Sequence, residues 1–198
     1  MAFALATPLI AERFSRGSEA YEAVQTFPRS IYIGLVSDSF TFVSEESGGL
    51  VNEVIIHYVS RATPPSSVNG HCIPIYPAAA AIDSSRGPPL RTTAFFPYAD
   101  CKQWTTMGVK LTAELVHDSS LVFSLEDEEF SRFEDLAVMD YKHMSSLDVF
   151  KTEADAIEFQ KLRVPQYALA SEIWKDVRMG NEQSEPHNFV EEVNLLES

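Results

Sequence analysis

The chain has 198 residues, 45% of them hydrophobic, with a formal net charge of −14. That is enough apolar material for one ordinary core, and the charge has the wrong sign for nucleic-acid backbones or anionic membrane. Eight glycines and eleven prolines exclude collagen-like and low-complexity classes, and no apolar run approaches the roughly 18 to 20 residues of a membrane-spanning helix.

The opening "MAFALATPLIAERF" lacks the basic start and the uninterrupted apolar run of a signal peptide. Two cysteines, Cys72 and Cys101, form no CxxC pair, and no N-x-S/T sequon is present, so a cytoplasmic protein is expected. Thr7 and Pro8 instead suit a helix start. From Pro8 to Gln25 the residues Ile10, Phe14, Gly17, Tyr21 and Val24 fall on one helical face, with Gly17 a point where the helix can break.

Residues Ile31–Val36 and the alternating Phe40 and Phe42 read as β-structure. Gly48-Gly49 turns the chain into a strand over Leu50–Ser60. Val54, Ile56 and Tyr58 share one face of that strand, and Ile55, His57 and Val59 the other, so it should be covered on both sides. Ala62–Leu90 carries six of the eleven prolines and predicts a long loop inserted into the domain. A short strand near Cys72–Tyr76 is restricted to an edge by Pro74. "QWTTMGVKLTAELVH" alternates cleanly from Gln103 to His117 and predicts one long strand, with Leu121–Leu125 returning as its hairpin partner. A further strand is expected over Phe133–Tyr141.

Helices are then expected from Thr152 to Leu162, and from Gln166 to Val177 on the spacing of Tyr167, Ala170, Trp174 and Val177, ending near Gly180. Residues 181–198 read as a frayed acidic tail, unless Phe189, Val193 and Leu196 dock as a short helix. The expected fold is a single α+β domain over residues 1–180: a largely antiparallel sheet with an N-terminal helix and C-terminal helices packed on it.

The charge is lopsided. Residues 1–110 hold 8 basic and 9 acidic side chains, whereas 111–198 hold 7 and 20. Eight of those carboxylates lie between His117 and Tyr141, and Asp118–Glu129 has the length of an EF-hand loop. Val122 and Phe123 occupy the places where such a loop needs an oxygen ligand and a glycine, so no metal site is assigned and no cofactor is expected. Adjacent acids at Glu126, Asp127, Glu128 and Glu129 repel one another, which favours a solvated surface able to meet a basic protein partner.

No histidine has metalloprotease or zinc-finger spacing, and GxSxG, P-loop and GxGxxG patterns are absent. His57, mid-strand, and His71 and Asp100, each beside a cysteine, are the polar candidates for chemistry. Arg86 and Arg91 on the Pro-rich loop suit an anion. Tyr58, Phe96, Tyr98 and Trp104 suit the wall of a cavity for a small apolar or aromatic ligand. The stretch "FEDLAVMDYKHMSSLDVFKTEADAIEFQ" (Phe133–Gln160) is similar to a half-repeat of dimeric α+β-barrel enzymes, a resemblance that implies cofactor-free chemistry on small organic molecules. The N-terminal half departs from that pattern, with a hairpin and a Pro-rich insertion in place of a first βαββ unit. Two functions are therefore expected: a non-catalytic interaction module with an acidic face or, alternatively, a ligand-binding protein or enzyme with a cavity under the Pro-rich loop.

Overall fold

The computed structural model describes residues 1–198 apart from 46–47, 66–67, 69, 79–85, 147–151, 153, 155–168 and 198. Seven strands form one mixed, largely antiparallel sheet: β1 (Ala2–Leu5), β2 (Tyr32–Val43), β3 (Leu50–Ser60), β4 (Cys72–Pro74), β5 (Lys102–Trp104), β6 (Val109–His117) and β7 (Leu169–Trp174). Their order is β2-β1-β7-β6-β3-β5-β4, and an additional β2–β3 ladder closes the first five into a barrel. The β6–β7 pair alone is parallel among these ladders. Four helices complete the described fold: α1 (Thr7–Ala11), α2 (Glu19–Gln25), α3 (Asp127–Ser146) and α4 (Pro186–Glu197). None is long and apolar enough to cross a membrane.

Alternation along the strands sorts side chains to the two faces of the wall. Phe3, Leu5, Tyr32, Ile56, Tyr58, Val109, Leu111 and Ile173 point inward and form one buried cluster with Phe189 and Val193 of α4. Phe3 of β1 reaches the ring of Tyr58 on β3, a strand it does not adjoin, at 6.0 Å. Such contacts across the barrel leave no room for a Cβ at Gly34, where it would lie 2.2 Å from Ile56 Cγ2 and 3.0 Å from the His57 carbonyl. The segment expected to fray is the helix α4, and it buries Phe189, Val190 and Val193.

The outward face of the wall is also covered. Ile33 and Val59 belong to a second cluster with Ile73, Ile75, Leu90, Phe96, Phe133, Ala137 and Val177. β3 thus has the two-sided burial its sequence predicts. The N-terminal helix divides as Gly17 suggests, at a φ of +80°, and Ser18 caps α2 by accepting from the Tyr21 N–H. β4 is the terminal strand of the sheet, consistent with Pro74.

Other expectations are corrected. Phe133–Tyr141 is helical, because Phe133, Ala137 and Asp140 recur with the α-helical period and press on the barrel wall. The resemblance to a strand–loop–helix half-repeat therefore fails over its first part. Gln166–Val177 contains β7, an inner barrel strand between β1 and β6, in place of a helix. Gly180, where the expected helix was to end, has φ −86°, and a Cβ there would sit 2.5 Å from Ile33 Cγ1. The long strand expected over Gln103–His117 breaks at Thr105–Gly108, where Met107 takes φ +67°, so β5 and β6 share one edge of β3 in succession. Leu121–Leu125 is not a hairpin partner, since β6 lies between β3 and β7. Leu125 instead bridges to Thr92. The helix expected over Thr152–Leu162 falls almost wholly outside the described residues.

Candidate functional site

Concave sites lie on the outer side of the barrel wall, and two of them bear on function. The first is an apolar cavity of about 340 Å³, to which the Pro-rich region contributes Ile75 and the segment after it Thr92 and Phe96. Its floor is the outward face of β2 and β3, including Ile33, Leu35 and Val59. Its cover is Ile75, Phe96 and the connection Val122–Phe130. Two covering segments are stitched together: the Thr93 N–H donates to Ser124 O at 2.8 Å, and their side-chain hydroxyls meet at 3.1 Å.

Polar groups in this wall are engaged by the protein itself. Gln103 Nε2 donates to the carbonyls of His57, Tyr58 and Trp104 at 2.9–3.4 Å, and Thr92 donates to Ala94 O. The Met1 amine donates to Gly34 O at 3.0 Å, and burial lowers its pKa to about 6. Lys175, which follows β7, is one of the lining residues, and its ammonium pairs with Asp118 at 2.6 Å.

The second site is polar and centres on Asp140, 5% exposed, on α3. The Arg86 guanidinium grips its two oxygens with bonds of 2.7 Å each, and the Thr105 hydroxyl donates to Oδ2. Burial works against the charged carboxylate, but the Arg86 fork and the Thr105 bond outweigh it and hold the pKa below the usual range. His71 Nε2 lies 3.7 Å from Asp140 Oδ1 and 3.1 Å from His143 Nδ1. Both partners approach the same ring nitrogen, so no proton can pass through the ring from carboxylate to outer imidazole, as a triad requires. Burial lowers the pKa of His71, while the Asp140 charge opposes that shift. A cavity of about 420 Å³ opens beside the group.

The structure brings His71 and Arg86 together but separates the other polar candidates. Asp100 occupies an exposed turn at φ +60°, and Asp140 is the acid that faces His71. His57 is sealed against the Phe133 ring (5.2 Å between centroids), and burial drives its pKa to about 4. Tyr58 and Trp104 lie in the inner core, with Trp104 Nε1 donating to Ala62 O. Of the proposed ligand contacts, Phe96 does line the apolar cavity. Tyr98 packs on Phe96 and donates to Gly180 O at 3.0 Å, and Arg91 borders a shallow depression beside Tyr76 and Phe95. Burial raises the pKa of the Cys72 thiol and lifts that of Cys101 to about 11, so neither is an activated nucleophile.

The acidic quartet begins α3. Asp127, Glu128 and Glu129 occupy its first turn, where negative charge complements the helix dipole. Glu129 pairs with Arg132, whose guanidinium also donates to the carbonyls of Arg86 and Pro88. Glu126, Asp127 and Glu128 are exposed. Among the described residues, no three His, Cys, Asp or Glu side chains are grouped to hold a metal ion.

Sequence reasoning missed Asp140, His143 and Thr105, and most of the cavity wall. A carboxylate seven residues after Phe133, in the middle of an apolar helical stripe, was the available signal for Asp140. No local pattern marks the cavity, because its walls come from several distant segments. No protein-family model matches the chain, and no curated protein and no solved structure is significantly similar to it.

Proposed function

We propose that this protein binds a small, largely apolar molecule in the cavity between the outer barrel wall and the cover formed by Phe96 and Val122–Phe130. The observation that carries the reading is the cavity itself. At about 340 Å³ it lies within the roughly 300–1,000 Å³ typical of small-molecule sites, and such sites are mostly apolar with few polar groups. Removing apolar ligand surface from water supplies about 25 cal/mol per Å², so a modest ligand gains useful affinity without any hydrogen bond from the wall.

The acidic face has a weaker basis as a docking site, because the helix dipole and Arg132 already account for the placement of Asp127, Glu128 and Glu129. The cavity reading is tested by titrating an apolar fluorescent probe into the protein and into Leu35→Trp, which fills the floor. Saturable binding lost in the variant, with the melting temperature preserved, is the expected outcome. Equal binding to both proteins overturns the reading.

A further inference from the structure

The wall chemistry also narrows the class of ligand. Resting on the cavity as a ligand site, we infer that the ligand is an aliphatic molecule with one anionic head, such as a carboxylate, set against Lys175. Three polar side chains in the wall already bond within the protein: Gln103 through Nε2 to three carbonyls, Thr92 to Ala94 O, and Ser124 to Thr93. The Met1 amine is likewise engaged by Gly34 O. A ligand polar along its length would leave its own groups unsatisfied against this wall, so its body must be apolar.

Lys175 differs from these groups. Its side chain is 43% exposed, and that of its partner Asp118 is 84% exposed. Exposed ion pairs of this kind contribute little and exchange readily with water or another anion. A head group at the cavity edge can therefore take the place of Asp118 or share the ammonium with it, while the chain remains under the cover. A cationic head would meet repulsion at the same point, and a neutral head gains only a hydrogen bond. Asp118 acts as an internal competitor: with Lys175 it forms a pair that ligand binding must open.

The test is isothermal titration of the full chain with decanoate, decanol and decylamine, at neutral pH in about 0.15 M salt, where the protein's net negative charge is screened beyond about 8 Å. Decanoate should bind about fivefold more tightly than decanol, the scale of one partly exposed charge contact, and decylamine most weakly. Lys175→Gln should remove the preference for decanoate over decanol. Asp118→Asn should strengthen decanoate binding alone. Asp118 is exposed and Lys175 half-buried with its pair at the surface, so the variants should fold, and circular dichroism checks that they do. Decanol binding as tight as decanoate, or a preference that survives Lys175→Gln, overturns the anionic head while leaving the cavity reading intact. If none of the three ligands binds, the cavity reading fails and this inference fails with it.

Discussion

The two faces of the barrel wall are built on opposite terms. Inside, aromatic and branched side chains from all five barrel strands fill the space, and α4 contributes Phe189 and Val193. Buried polar atoms without a hydrogen-bond partner among the described residues occur on both faces: Tyr58 Oη and Glu192 Oε2 inside, His57 Nδ1 and His71 Nδ1 outside. Outside, the buried Asp140 is fully engaged, yet the hydrocarbon packing leaves a cavity. A closed strand wall constrains its interior to near-crystalline density. A cover made of one helix and two stitched loops has no such constraint. Space for a ligand is therefore found where the cover meets the wall.

Substitutions can break this contrast. The largest effect is expected at Gly34, because any Cβ there collides with Ile56 and the backbone of β3. Gly34→Val should cost more than about 4 kcal/mol and prevent folding, read as loss of a cooperative urea transition. An ordinary transition would show that the interior can yield. Next is Asp140→Ala on the outer face. It leaves Arg86 without its carboxylate in a buried setting, for an expected loss of about 3–5 kcal/mol. Loss of under 1 kcal/mol would mean that this network is solvated and not buried.

Smaller effects follow from pH. His57 has its pKa lowered by burial from 6.5 to about 4, so the unfolded chain binds the proton more readily than the folded one. Stability is then greatest above pH 6.5 and is lost as pH falls from 6.5 towards 4, by about 3 kcal/mol. His71, also held down by burial, adds in the same direction. Inside the barrel the sign reverses: burial raises the pKa of Glu192, although Tyr32 and the Ser30 N–H donate to its Oε1. Its contribution is lost as pH rises through the folded value. Urea midpoints between pH 4.5 and 8 should show a shallower acid limb for His57→Leu. Glu192→Gln, which keeps an acceptor and removes the charge, should be slightly more stable than the parent at pH 8. Parallel profiles for all three proteins would remove the distinction between the faces.

Parts of this arrangement were legible in the residues and parts were not. Apolar side chains on both faces of Val54–Val59 announced a strand with two cores, since alternation alone decides which side chain meets which layer. Gly17 and Pro74 marked a break and an edge for equally local reasons. Phe133–Tyr141 misled because the buried face of α3 includes a carboxylate, Asp140, whose partners Arg86 and Thr105 come from far along the chain. β7 misled because Ala170 and Trp174 match helical spacing as well as strand alternation, and its role as an inner barrel strand depends on neighbours at the opposite end of the sequence. His71 and Arg86 were identifiable as polar residues of interest. Their meeting at one carboxylate, and the cavity beneath Phe96, arise only from tertiary packing.

The position of β1 between β2 and β7 has a kinetic consequence. Phe3 pairs with Ile173, 170 positions later. During synthesis β1 emerges long before β7, so the barrel cannot close until β7 has been made. Loop-closure entropy delays such distant pairings, and chains dominated by them fold slowly, in milliseconds to seconds. Until then Phe3 and Leu5 have no closed barrel interior to enter, and the nascent chain must keep β1 from association until β7 follows.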